Sequence, residues 1–145
     1  MKNQNTVFIT IVSAFAFALA PVTKAAPSPG GGSDPAPAVA TVHSTDNVTR
    51  GKTGSFVLDM KPRLMLGGTY VNFSVSGTAI AGVDYVLLVS PAYIGQSGYG
   101  VIQVQTLPDP RGSSFRQAYS VVVTLEPGLG YAVGQPSSAT MWIKP

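Results

Sequence analysis

From residue 38 to the end of the chain, apolar residues recur at every second position, while the three-and-four spacing of an amphipathic helix is nearly absent. Phe56, Leu58 and Met60 alternate with Val57 and Asp59; Val71, Phe73 and Val75 alternate with Asn72 and Ser74; Ile102 and Val104 alternate with Gln103 and Gln105. Tyr119, Val121, Val123 and Leu125 form the longest stripe, and Ala139, Met141 and Ile143 form the last, with Thr140 and Trp142 on its other face. A strand sends successive side chains to opposite faces, so each stripe describes a sheet with one face buried and one wet. Turn formers separate the stripes: Gly67-Gly68, Ser76-Gly77, Ala81-Gly82, the glycines of 95–100, and the Pro/Gly stretches 108–112 and 127–130. Adding weaker strands over 38–43 and 85–89 predicts about seven strands in roughly 108 residues, the spacing of an all-β, two-sheet sandwich. A domain of that size buries roughly 65% of its unfolded surface, enough to fold without a disulfide or a metal.

The N-terminal quarter reads differently. Lys2 precedes an uncharged apolar run, VFITIVSAFAFALA, over residues 7–20. The run is shorter than the roughly 20 residues a membrane-spanning helix needs. Pro21 ends it, and Thr23-Lys24-Ala25 places small residues at the two positions a signal peptidase reads, so residues 1–25 are expected to be a signal peptide cleaved after Ala25. The chain is then exported, with no membrane span left after cleavage. Residues 26–37, APSPGGGSDPAP, hold four Pro, three Gly and two Ser, a composition of flexible spacers. The domain follows over 38–145, and the last stripe ends at Ile143, so no anchor, sorting tail or second module is expected after it.

Composition then narrows the function. The chain has no cysteine, which excludes disulfide scaffolds, thiolate zinc sites, cysteine nucleophiles and a lipid-bearing N-terminal Cys. The net charge is +3, but Lys2 and Lys24 leave with the leader, so seven basic residues face six acidic ones and the mature chain carries +1. Arg50 and Lys52 flank one end of a predicted strand while Lys61 and Arg63 flank the other, so they form no compact basic patch and nucleic acid is not an expected partner. His43, the single histidine, lies in the polar run His43-Ser44-Thr45-Asp46-Asn47 and reads as exposed or turn-bonded. No G-x-S-x-G elbow, carboxylate pair or phosphate loop accompanies it, so no catalytic residue is predicted and the chain is not expected to be an enzyme.

Gly77-Thr78-Ala79-Ile80-Ala81-Gly82-Val83-Asp84-Tyr85 resembles the G-T-A-x-A-G-x-D-Y signature of Calx-beta domains. The spacing from Asp84 to Asp109 matches that family's DY turn and the acidic loop after its next long strand. Tyr119-Ser120-Val121-Val122-Val123-Thr124-Leu125 is similar to its F-x-V-x-L strand, and Gly130-Tyr131-Ala132-Val133-Gly134 with Ser138-Ala139-Thr140-Met141-Trp142-Ile143 is similar to its closing hairpin. The likeness covers about residues 50–145 and implies an immunoglobulin-like Greek-key β-sandwich. Within the motif, Gly77 and Gly82 are suited to positive φ, and Asp84 is suited to accept backbone N–H bonds in the turn before Tyr85 opens a strand.

The resemblance also raises calcium, because calcium-binding members build a site from clustered carboxylates at one end of the sandwich. Here Val75 and Ser76 precede Gly77, Asp109 stands alone before Pro110 and Arg111, and Ser114, Phe115, Arg116 and Gln117 occupy the place of an acidic stretch. Ca²⁺ takes six to eight oxygens, and Arg111 and Arg116 repel a cation. No calcium site and no other cofactor is therefore expected, Asp84 and Asp109 being the nearest approach to ligands. Asp109 is expected instead to pair with Arg111 or Arg116, or to cap its own turn.

The reading that remains is an exported, non-enzymatic Calx-beta-like domain with a protein-interaction or adhesion role at the cell envelope, in the periplasm, on the surface or secreted. Its alternatives are a calcium-binding Calx-beta module and a self-associating structural subunit. Tyr93, Tyr99, Tyr131 and Trp142 are the candidate contact surface for a protein or glycan partner, since Tyr and Trp supply contact area at low entropic cost.

Overall fold

The strongest alternations become the longest strands. A computed structural model describes residues 36–64, 67–109, 111–112 and 117–145; the predicted signal peptide, most of the spacer and Arg116 lie outside the described residues. The strands are β1 (Val39–Ser44), β2 (Val48–Thr49), β3 (Thr53–Lys61), β4 (Thr69–Val71), β5 (Phe73–Ser76), β6 (Ala92–Ile94), β7 (Tyr99–Gln105), β8 (Tyr119–Leu125), β9 (Ala132–Val133) and β10 (Ser138–Lys144). No helix of the described residues is long and apolar enough to cross a membrane.

Two four-stranded sheets form the sandwich, ordered β7-β3-β1-β9 and β2-β10-β8-β5, and β4 and β6 pair in a third, two-stranded sheet. The chain crosses repeatedly between the layers: β3 lies in the first sheet, β5 in the second, β7 in the first and β8 in the second. Phe56, Leu58 and Met60 of β3 and Ile102 and Val104 of β7 point into the core from one side. Val121, Val123 and Leu125 of β8 and Met141 and Ile143 of β10 meet them from the other. Each such aliphatic or aromatic side chain contributes about 1.5–3 kcal/mol on full burial, and this interior holds the layers together.

The all-β sandwich agrees with the alternation, but there are ten strands rather than about seven, and three local expectations change. The apolar stripe Val71, Phe73, Val75 is not one strand: Asn72 interrupts it, its carbonyl accepting from the Glu126 amide at 2.9 Å and its amide donating to the Tyr131 hydroxyl at 2.9 Å. That break lets β4 leave for the small sheet while β5 joins β8. The stretch 85–89 forms no strand; Tyr85 makes only isolated bridges, to Ala81 and to Thr106, and the Val86 amide reaches the Gln105 carbonyl before the chain diverges. The expected closing hairpin is absent as well. β9 pairs in parallel with β1, while β10 pairs with β8 in the opposite sheet, so the chain changes layers between the two segments.

Candidate functional site

The nine-residue motif forms a compact loop clamped to β8. Thr78 and Ser120 exchange hydrogen bonds, Thr78 N to Ser120 Oγ at 3.1 Å and Ser120 N to Thr78 Oγ1 at 2.8 Å, and the Ala79 amide donates to the Ser120 carbonyl at 2.9 Å. Gly77 and Gly82 adopt φ of 120° and 80°. At Gly77 a Cβ would collide with the Ser120 carbonyl oxygen, so the backbone conformation and the close approach both require glycine there. The loop turns back at Asp84, whose Oδ2 accepts from the Ile80 amide at 2.8 Å, the local role the sequence suggested for it.

Asp84 also does something no local pattern reveals. It is completely buried at one end of the sandwich, and its Oδ1 takes two guanidiniums, Arg50 at 2.6 Å and Arg111. Arg50 follows β2 and is almost fully buried, with Nη1 reaching the Leu107 carbonyl at 3.4 Å. Arg111 is partly open, and Asp109 accepts both its Nε and its backbone amide at 3.0 Å. Asp109 Oδ2 lies 3.4 Å from Arg50 Nε. That contact is ionic rather than a hydrogen bond, because Arg50 Nε has no hydrogen-bond partner among the described residues. The Tyr119 ring closes the cluster, its centroid 4.2 Å from the Arg111 guanidinium carbon and 5.4 Å from that of Arg50, within range of cation–π attraction.

Two cations thus face two anions. Burial pushes the Asp84 carboxyl up, but the Ile80 amide, the Arg50 hydrogen bond and the neighbouring positive charges together hold it below the ordinary carboxylate value. The Arg111 hydrogen bonds, from side chain and backbone, hold the Asp109 carboxyl down, and the Asp109 partner in turn raises Arg111. The two nearest approaches to calcium ligands are therefore brought together, and both carboxylates are occupied by guanidiniums. Among the described residues no three His, Asp or Glu side chains are grouped to hold a metal. Arg50 was legible only as a charge flanking a strand, because its partner lies 34 residues away.

The aromatic candidates separate. Tyr93 of β6 is exposed and packs against Tyr70 of β4, their ring centroids 5.2 Å apart and tilted by 55°. Tyr70, 63% exposed, had no signal in sequence beyond its place in a stripe-bearing segment, because its register opposite Tyr93 depends on a sheet of two short strands. Tyr99 is exposed on β7, which packs beside β6, whereas the half-exposed Trp142 lies on β10 in the other sheet. Tyr131 belongs to no surface. It is 7% exposed, and its hydroxyl donates to the Glu126 carbonyl at 2.6 Å while accepting from Asn72 N. Its job is to pin the corner between β8 and β9 to the break between β4 and β5. His43 pairs with Asp59, Nδ1 to Oδ2 at 3.1 Å, on an exposed sheet face, and no serine hydroxyl among the described residues bonds to it.

A scan against protein-family models finds no match, and a search of curated proteins finds none either. Among solved structures the fold is similar to a conjugative transposon lipoprotein from Bacteroides eggerthii DSM 20697, with 12% identity and a TM-score of 0.37 over 74% of this chain and 95% of that one. A likeness that distant carries no argument about this chain.

Proposed function

We propose that the chain is an exported, non-enzymatic, Calx-beta-like module of the cell envelope that recognises a protein partner through the face carrying Tyr70, Tyr93 and Tyr99. One observation carries the reading. The described polar residues that come together in the interior are spent on one another in a closed Arg–Asp cluster, while the large aromatic side chains of β4, β6 and β7 stand in solvent. Rigid, exposed tyrosines with few rotatable bonds are the groups that dominate recognition surfaces. The export signal and spacer read from residues 1–37 support an envelope location. The Asp84 and Asp109 carboxylates, already neutralised, favour an interaction module over a calcium-loaded one.

The test is capture from envelope fractions on the immobilised mature chain. The double variant Tyr70→Ala, Tyr93→Ala is expected to retain the wild-type melting temperature and lose capture, and Trp142→Ala, on the other sheet, is expected to keep it. Undiminished capture by the double variant would remove this face from the function.

A further inference from the structure

Among the described residues strand β7 is an edge strand, paired only with β3. Its even-numbered positions and their flanks face β3: the Gly98 carbonyl accepts from the Met60 amide at 2.8 Å and the Thr106 amide donates to the Lys52 carbonyl at 3.1 Å. Its odd-numbered residues face away. The Tyr99 carbonyl accepts from the Gly95 amide at 3.2 Å, and the Gln105 carbonyl from the Val86 amide at 2.9 Å. Between these closures the alternation of an antiparallel ladder turns the N–H and C=O of Val101 and Gln103 outward, and among the described residues no second strand pairs with them and no loop backbone bonds to them. Beside them runs a groove of about 340 Å³, floored by Phe73 and Ile102 and walled by Leu87, Val89, Tyr93 and Val101, within the size range of ligand sites. Leu87 and Val89 are 68% and 76% exposed, and none of the groove residues is charged.

We infer that this groove receives an extended peptide strand of another protein, which adds to β7 by pairing its backbone with Val101 and Gln103 and seats uncharged apolar side chains against Leu87 and Val89. Four backbone groups at strand spacing are complemented by another polypeptide backbone, and strand addition is an established mode of peptide capture. The uncharged lining selects against acidic or basic segments, whose charges would be desolvated without a partner. The own-chain bonds at Tyr99 and Gln105 close the edge at both ends, leaving room for about five residues, roughly 17 Å of strand. A second copy presenting its own β7 edge carries the same two closures and does not fit. This inference rests on the interaction reading above and specifies the partner's chemistry.

Amide hydrogen exchange on the purified mature chain tests the edge directly. Val101 and Gln103 are expected to exchange fast and Ile102 and Val104 slowly; protection of Val101 and Gln103 in the free domain would overturn the inference. Pools of capped hexapeptides alternating Val, Ile, Leu or Phe with Thr or Ser are then titrated in. At least one pool is expected to protect both amides, and its peptides N-methylated on the pairing edge are expected to bind at least tenfold more weakly, the loss of about two backbone hydrogen bonds. No protection by any pool at millimolar peptide, or equal binding by the N-methylated forms, refutes strand addition, as does protection that appears only with dimerisation of the chain. Val101→Pro, which removes one outward N–H at a position where an edge strand tolerates proline, is expected to fold and to lose both peptide and partner. If Val101→Pro captures the envelope partner normally while Tyr70→Ala, Tyr93→Ala does not, the aromatic face stands and strand addition falls; if neither variant changes capture, both fall.

Discussion

Replacing Asp84 by Asn keeps the shape of the side chain and removes one charge, and the geometry makes this a severe change. The carboxylate uses Oδ2 for the Ile80 amide and Oδ1 for Arg50 and Arg111. An amide side chain has a single acceptor oxygen, so whichever way Asn turns, its NH₂ group meets a donor. Two guanidiniums would then share Asp109 alone, with Arg50 still buried and its Nε still without a hydrogen-bond partner among the described residues. Breaking one side of a buried ion pair typically costs about 3–5 kcal/mol. The partial opening of Arg111 to solvent puts this case at the lower end, about 3 kcal/mol, a large share of the roughly 5–15 kcal/mol that holds a domain folded. With a urea m-value of about 1.5 kcal/mol/M, the midpoint should fall by about 2 M. Trp142, half-exposed on β10 and the chain's single tryptophan, supplies the fluorescence. The difference between wild type and variant should also depend on pH. Because the folded carboxyl is held below its ordinary value, the contribution of Asp84 is complete above the unfolded carboxyl's pKa of about 3.9 and disappears as pH falls from there through the lower folded value. A midpoint shift equivalent to less than about 1 kcal/mol would refute the claim that this cluster is a coupled structural unit. A stability difference that instead widens as pH falls through about 6 would show that burial, not the guanidiniums, governs the carboxyl.

Four other outcomes follow from the same structure. Gly77→Ala should cost about 2–4 kcal/mol, since a Cβ meets the Ser120 carbonyl at positive φ, whereas Gly82→Ala, with open space around it, should cost only about 1 kcal/mol; equal midpoint shifts in urea would contradict the close approach. Tyr131→Phe should lose about 1–3 kcal/mol through the orphaned Asn72 amide and Glu126 carbonyl, while binding of a captured partner stays unchanged after correction for the folded fraction. Calcium up to a millimolar should leave the melting temperature in place, because both available carboxylates are engaged by arginines; a rise of many degrees at submillimolar calcium would revive the metal-binding alternative. Residues 1–37 fused to a reporter should direct its export, with N-terminal sequencing finding Ala26 first; a reporter retained in the cytoplasm would remove the signal peptide.

Much of the fold was legible in the chain. Period-two patterning is a local property, and it named the inward residues of β3, β7, β8 and β10 because a buried face tolerates little else. The glycine positions of the 77–85 loop were legible for the same reason, as was the Asp109 turn with Arg111 two residues on. What escaped was set by contacts distant in sequence. Asn72 splits a seemingly continuous stripe because the Tyr131 hydroxyl, 59 residues away, claims its amide, and Tyr131, which by composition and turn context suited a surface, is buried for that same bond.

Alternation alone therefore decided that this chain makes two-faced sheets, since the geometry of a strand converts every second residue into a face. Which sheet each strand joined, and which charges met, was decided by packing: only the closed sandwich brings Arg50, Asp84, Asp109 and Arg111 to one end, where the removal of water turns four scattered charges into one neutral cluster. The edge of β7 belongs to the same level. Its sequence reads like any other strand, and it stands open because the segment after Val86 turns away toward β5, where the Ser90 hydroxyl takes the Phe73 amide at 2.9 Å, instead of continuing the ladder.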